Sequence, residues 1–380
     1  MAELKAFDMT EKFTAILLDT SIYDQYGLKL EKGLLGKLSQ FSRTPTTFLI
    51  PDVIYNEVKN HLERKIKTSR GSLEKAFEEA GDHLFFDGSE LNDAKKTLIE
   101  SREVEGLGKS RLDRFVAVTD AEVLTTGDYV SVPELLERYF SSEPPFADTG
   151  KKKNEFPDAI TLMAVQAWAE ENGESVLAVA RDDDWQRFCV DAENLHYEPD
   201  LSTALAHFNE ETAPYELIDN LQKALAEGQA GKFLHDVAVH LESTFDGFAP
   251  EQEADSYLYW EADGCSGGFE DFEFTDNHFT VIDKDENWVV IEAFAEISLY
   301  AEGDFSLSVY DSFDKDHVYM GSITKRAEET YTSRILITIS GDLSGSIDDL
   351  IVDDVEVIER PTSMDFGELE LEYEPDEQDL

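Results

Sequence analysis

Cysteine is nearly absent from this chain. The two that occur in 380 residues, Cys189 and Cys265, lie far apart and outside any CxxC spacing. That excludes a disulfide framework and a cysteine-built zinc site, and it points to reduced thiols. Long apolar runs are also missing, since nowhere do about 18 apolar residues follow one another. The N-terminus, MAELKAFDMTEKF, carries acids where a secretory signal needs a basic region and an apolar core. A soluble, cytoplasmic protein with no membrane association is the expectation. No GxxxxGK[ST] or GxGxxG loop is present, which disfavours nucleotide-binding enzymes of those types. The eight histidines have no HExxH or GxSxG companions, so zinc-protease and serine-hydrolase chemistry is unsupported.

Positive charge is the scarcest resource: 32 Lys and Arg stand against 83 Asp and Glu, for a formal net charge of −51. Taken whole, that balance argues against a nucleic-acid binder, which ordinarily presents a basic face. Its distribution points the other way. Residues 1 to 200 hold 39 acids and 24 basic residues, whereas residues 201 to 380 hold 44 acids and 8 basic residues. The two halves therefore need separate functional readings.

The patterning divides in the same place. The first half alternates apolar runs with helical patterns: AILLD, TFLIPDVIYNEVKNHLERKIK, a largely helical stretch from about 72 to 140, FPDAITLMAVQAWAEE, VLAVARDDDW and NLHYEP. Strands alternating with helices predict βαβ units around a central parallel sheet, an α/β domain over residues 1–210. Two helices, near 214 to 227 and 229 to 245, read as a bridge over 211–249. From 250 to 360 the pattern alternates residue by residue, as in WVVIEAFAEISLYAEG and YTSRILITISG. That predicts an antiparallel β domain, a sandwich or barrel. Residues 361–380, dominated by acids, read as a disordered tail.

What the first half does contain is a set of acids at telling positions. Asp19 ends the apolar run AILL, and Asp182, Asp183 and Asp184 follow the run VLAV; carboxyl ends of parallel strands are where α/β proteins place ligand groups. Glu57 borders the helical stripe Ile54, Val58, Leu62 and Ile66. Asp158 follows Pro157 at a helix start, where the dipole favours a carboxylate. Each has an ordinary explanation of its own: a turn residue, a solvated helix residue, a helix-start acid, loop composition. Their convergence on one sheet edge is what carries weight. Carboxylates packed together repel, and some would stay protonated unless a cation neutralised them. Asp and Glu oxygens without His or Cys suit a hard ion, Mg²⁺ or Mn²⁺.

The order LLDTS, PDVIYNEV, KKKNEFPDAI and ARDDDW resembles the PIN-domain nucleases in their larger bacterial form, over about residues 13 to 210. The resemblance implies Asp19, Glu57 and Asp158 as metal ligands, Asp182 as the fourth acid and Asp184 as a fifth. It implies a metal-dependent endonuclease, a ribonuclease ahead of a deoxyribonuclease, that leaves 5′-phosphate and 3′-hydroxyl ends, with toxin or defence effector as a role. Thr20 and Ser21 would hydrogen-bond the ligands or a phosphate. Lys59, Arg64, Lys65, Lys67 and Arg70 on the Glu57 helix, Lys151, Lys152 and Lys153 before the Asp158 helix, and Arg181 could hold the nucleic acid, or simply be solvated. In an extended continuation of the strand, Asp182 and Asp184 would share a face, with Asp183 pointing away. An aspartyl-nucleophile phosphatase would want an acid two residues after Asp19, where Ser21 stands. The competing class is a non-catalytic PIN-like binding protein whose acidic C-terminal half mimics nucleic acid and captures a basic partner; a homo-oligomer fits either.

Overall fold

Eleven α-helices and twelve strands are present in a computed structural model that describes residues 12–83, 89–100, 104–146, 155–210, 214–313, 315–343 and 345–371. The chain divides into two compact units, at residues 208 and 209. The first runs β1 (Ala15–Leu18), α1 (Thr20–Gln25), α2 (Gly33–Lys37), β2 (Thr47–Pro51), α3 (Asp52–His83), α4 (Ser89–Lys95) and α5 (Val104–Thr119). It continues through β3 (Glu122–Leu124), α6 (Val132–Ser141), α7 (Phe156–Asn172), β4 (Val176–Val179), α8 (Asp183–Asp191), β5 (Leu195–Glu198) and α9 (Leu201–Asn209).

The expected parallel sheet is present, five-stranded, in the order β3-β2-β1-β4-β5. β1 and β4 are buried at every position because helices cover both faces of the sheet, which is why they read as continuous apolar runs. β3 lies inside the stretch expected to be helical. Only one of its three residues is buried, so it carries no apolar run that periodicity could detect. α3 buries Ile54, Val58 and Leu62. Beyond Leu62 the helix outruns that cover, and most of its side chains are exposed. α7 ends at Gly173, whose φ of 67° is the left-handed conformation that releases a helix C-terminus.

The second unit consists of α10 (Tyr215–Ala226), α11 (Gly231–Thr244), β6 (Glu251–Asp255), β7 (Tyr259–Phe274), β8 (Thr280–Lys284), β9 (Trp288–Asp311), β10 (Asp316–Ser340), β11 (Ile351–Val357) and β12 (Ser363–Glu368). Its main sheet is antiparallel, in the order β11-β10-β9-β7, with β8 also on β9. The sheet stays open, so the barrel alternative does not hold. From Ala293 to Leu307, β9 buries every odd residue and turns every even one outward. β7 comes so close to β9 that a Cβ at Gly267 would sit 2.2 Å from the Tyr300 carbonyl oxygen.

Two boundaries differ from expectation. α10 and α11 are no bridge: Leu217, Leu221, Phe233, Val237 and Leu241 share one core with Val289, Ile297, Leu299, Ile335 and Ile337 of the sheet. An amphipathic stripe announces that a helix is covered, not by what. The stretch read as a disordered tail is in part ordered. Ser363–Glu368 pairs in parallel with β6, burying Met364 and Phe366; residues 372–380 lie outside the described residues. No helix among the described residues is long and apolar enough to cross a membrane.

Candidate active site

The strand order fixes where the acids meet. From β1 the chain builds outward through β2 and β3, then returns to build β4 and β5 on the other side of β1. The crevice at the carboxyl ends of β1 and β4 is therefore the point where the winding reverses, the usual ligand position in an open α/β sheet. Leu18 pairs with Val179, and the Asp19 N–H donates to the Val179 carbonyl at 2.9 Å. Asp19 thus sits at the mouth of that crevice. Asp182 follows three residues after β4, α3 brings Glu57 one turn into its length, and α7 starts with Asp158 in its first turn.

Each carboxylate is held by a local donor. Asp19 caps α1, accepting the Ser21 N–H at 3.0 Å and the Ser21 hydroxyl as well. Thr20 Oγ1 donates to Glu57 Oε2 at 2.8 Å, tying α1 to α3. The indole Nε1 of the buried Trp185 donates to Asp158 Oδ1 at 3.2 Å. Asp182 caps α8 and accepts the Asp184 N–H at 2.9 Å.

Electrostatics show that the four acids share one neighbourhood. Burial pushes the Asp158 carboxyl up to about 6, with the charges of Asp19, Glu57 and Asp182 adding to it and the Trp185 hydrogen bond opposing. Burial likewise raises Asp19, which is 8 % exposed; hydrogen bonds from Ser21 and Thr20 oppose the rise and the Asp182 charge adds to it. Tyr23 is buried beside Asp19, its hydroxyl has no hydrogen-bond partner among the described residues, and burial and the Asp19 charge both drive its phenol far up.

The three successive acids separate by backbone geometry, and here the extended register fails. α8 begins at Asp183, so only Asp182 continues the strand. Asp183 is exposed in the first turn, while Asp184 is wholly buried and ion-paired with Arg187 of its own helix. Sequence alone could not separate a three-acid loop from a helix start whose first residue is the cap.

The cations sort by helical angle. Arg64 lies roughly 20° from Glu57 around α3, two turns on, whereas Lys59 lies roughly 160° away, across the apolar stripe. Arg64 and Lys65 are exposed, as are Lys67 and Arg181, and Arg70 pairs with Glu74 at 3.1 Å. Lys151, Lys152 and Lys153 lie outside the described residues. One feature of this face was not evident in the motifs: His61 Nδ1 meets Asp24 Oδ2 at 2.7 Å. Asp24 is four residues after Thr20 and His61 four after Glu57, so the pair forms the next rung of the contact that Thr20 and Glu57 begin. That shared spacing is the signal that could have found it.

A metal ion suits these acids by donor chemistry, all hard carboxylate oxygens, and by the like-charge field at Asp158 and the orphaned Tyr23 hydroxyl, which a hydrated cation would relieve. Among the described residues, however, no three His, Cys, Asp or Glu side chains are grouped to grip an ion. The local donors explain why: each of the four acids is turned toward a hydroxyl, an indole or a backbone N–H.

Residues 16–185 match a family model described as PIN domain. No curated protein and no solved structure matches the chain.

Proposed function

We infer that this chain, whose N-terminal unit belongs to the PIN-domain family, is a metal-dependent endonuclease that hydrolyses phosphodiester bonds, of RNA ahead of DNA, in the cytoplasm. PIN domains are typically nucleases and generally use divalent metal ions. The observation that carries the assignment here is the placement of Asp19 and Asp182 after the carboxyl ends of β1 and β4, with Glu57 tied to Thr20 and the charges of Asp19, Glu57 and Asp182 all felt at the buried Asp158. Asp19, Glu57 and Asp158 would hold Mg²⁺ or Mn²⁺. Such an ion, when bound, acidifies water and neutralises phosphate charge.

The chain's own residues supply the rest. Ser21 and Thr20 fix Asp19 and Glu57, and Trp185 fixes Asp158. Asp182, at the strand end, accepts the proton of the attacking water. As the water oxygen bonds to phosphorus, the P–O3′ bond breaks and the 3′-oxygen leaves to take up a proton, giving 5′-phosphate and 3′-hydroxyl ends. Arg64, on the Glu57 side of α3, and Arg181, beside Asp182, engage backbone phosphates. Toxin or defence effector is the biological role this activity would suit.

The non-catalytic alternative draws on the ungrouped carboxylates, since a protein that only mimics nucleic acid needs no ion. One experiment separates the two: incubation of the full chain with end-labelled RNA and DNA in Mn²⁺, Mg²⁺ or chelator, followed by end-group analysis. Cation-dependent cleavage with 5′-phosphate products is expected. Asp19→Asn, Glu57→Gln and Asp158→Asn should each lower it by about a hundredfold or more while the protein stays folded. Any one of them cleaving at the parental rate would remove that residue from the site, and no cleavage under any condition would favour the binding protein.

A further inference from the structure

The second unit has its own unused surface. Its core side is covered by α10, α11 and the β6–β12 pair, leaving the even-numbered face of β9 open. At the hairpin end of that face the sheet thins. β7 stops pairing at Ser308, and beyond it, among the described residues, β9 and β10 continue alone as a pair to Asp311 and Asp316. Most of the exposed large apolar side chains among the described residues of this unit gather there.

Their arrangement is ordered. Register puts Tyr259, Ser308 and Tyr319 in one row across three strands, with Tyr310 opposite His317 in the next. The His317 ring lies between two tyrosines, 4.4 Å from Tyr259 and 5.3 Å from Tyr310 between ring centroids. Tyr310 and Tyr319 are 56 % and 62 % exposed, and Phe313 at the turn is 95 % exposed. The opposite side of the ribbon is bare as well, at Val309 and Val318. A two-stranded ribbon with apolar groups open on both faces gains little by burial alone, and a contiguous apolar patch on a soluble protein marks an interaction site.

We propose that this end of the β9–β10 hairpin, with Tyr259 of β7 beside it, docks a cationic, partly apolar segment of another protein. Charge selects the occupant. Asp311 and Asp316 flank the turn, Glu261 accepts from the Tyr259 hydroxyl, and Lys315 is the one Lys or Arg among the described residues from 308 to 319. The half of the chain to which the patch belongs, residues 201 to 380, holds 44 acids and 8 basic residues, so a second copy or a nucleic acid would meet repulsion. An arginine- or lysine-bearing strand would instead set its cations over the tyrosine faces and between the acids, and its apolar residues against Phe313 and Val318. The assignment is independent of the nuclease chemistry.

The test uses the full chain and a fluorescein-labelled decapeptide of alternating Arg and Leu, read by anisotropy, with the alternating Glu and Leu peptide as control. Saturable binding of the first peptide alone is expected, weakening as salt rises. The double variant Tyr310→Ser, Tyr319→Ser alters only exposed side chains and should keep its circular dichroism, yet bind about tenfold more weakly or worse once two aromatic faces are gone. Equal binding by the double variant would overturn the proposal, because charge anywhere on the acidic half would then suffice. So would absence of binding, binding of the Glu and Leu peptide, or a self-association of the free chain that the double variant abolishes, which would make a second copy the occupant.

Discussion

Asp158 should be the one carboxyl of the crevice whose ionisation can be watched directly, because Trp185 reports on it. Its indole N–H donates to Asp158 Oδ1 at 3.2 Å, so the Nε1–H resonance must move when that oxygen gains or loses charge. The chain has four tryptophans, so ¹⁵N-tryptophan labelling gives four indole peaks, and Trp185→Phe identifies the relevant one. Burial and three neighbouring acids raise Asp158 from 3.8 to about 6, and the peak should titrate with that midpoint. The rise of about two units corresponds to at most about 3 kcal/mol. The sign follows from proton binding. Between pH 4 and pH 6 the folded protein holds a proton that the unfolded chain has released, so this group's contribution to stability declines as pH rises through that window. Asp158→Asn can still accept from the indole, and its stability relative to the parent should therefore improve from pH 4 to pH 7. Asp19→Asn should lower the midpoint without returning it to 3.8, because burial remains. Saturating Mg²⁺ should lower it further. A Trp185 resonance that is flat between pH 4.5 and 7.5, or indifferent to Asp19→Asn, would refute the shared field on which the site rests.

Asp182→Asn should abolish cleavage with little change in melting temperature. Asp184→Asn should instead destabilise by about 2 kcal/mol, since it strips a buried carboxylate from a half-exposed Arg187, and lost activity should return on cooling. Arg64→Gln should weaken binding of single-stranded RNA and reduce the slope of log affinity against log salt by about one, and Lys59→Gln should leave both nearly unchanged; equal effects would mean that α3 presents both faces to substrate. Gly267→Ala should destabilise the second unit by about 2 kcal/mol or more, as its Cβ meets the Tyr300 carbonyl, and a neutral result by denaturant titration would show that β7 can move away.

The parallel sheet of the first unit was legible because burial on both faces leaves uninterrupted runs such as Ala15–Leu18 and Val176–Val179, and an acid follows each run, Asp19 directly and Asp182 three residues on. Glu57 was legible by its place beside an apolar stripe. The contacts that hold these acids were not. That Thr20 reaches Glu57 across 37 residues, or that the Trp185 indole meets Asp158, depends on how α1, α3, α7 and α8 pack, which no local pattern encodes. The same limit hid β3, too short and too exposed to leave a period, and the true partner of α10 and α11.

The acids themselves show why composition alone misleads about function. Net charge at −51 suggests a protein that repels phosphate, yet the acids divide into two physical classes. Those of the second unit's sheet face, such as Glu296, Glu302 and Asp304, stand in solvent. Water screens them, and they act at long range on what approaches. Asp19 and Asp158 are withdrawn from water and raised first by that burial, with the Asp182 charge adding at both and the Asp19 and Glu57 charges adding at Asp158, so they act at short range and favour a compact cation. A substrate phosphate meets the second class only through whatever neutralises it. A negatively charged chain can therefore still engage a polyanion, provided that cations such as Arg64 and Arg181 border the buried acids while the solvated acids lie elsewhere. Raising ionic strength separates the two: it should leave the Trp185 titration nearly in place while weakening the solvated acids' influence on encounter rates, and a large shift of both would mean that the crevice is open to solvent.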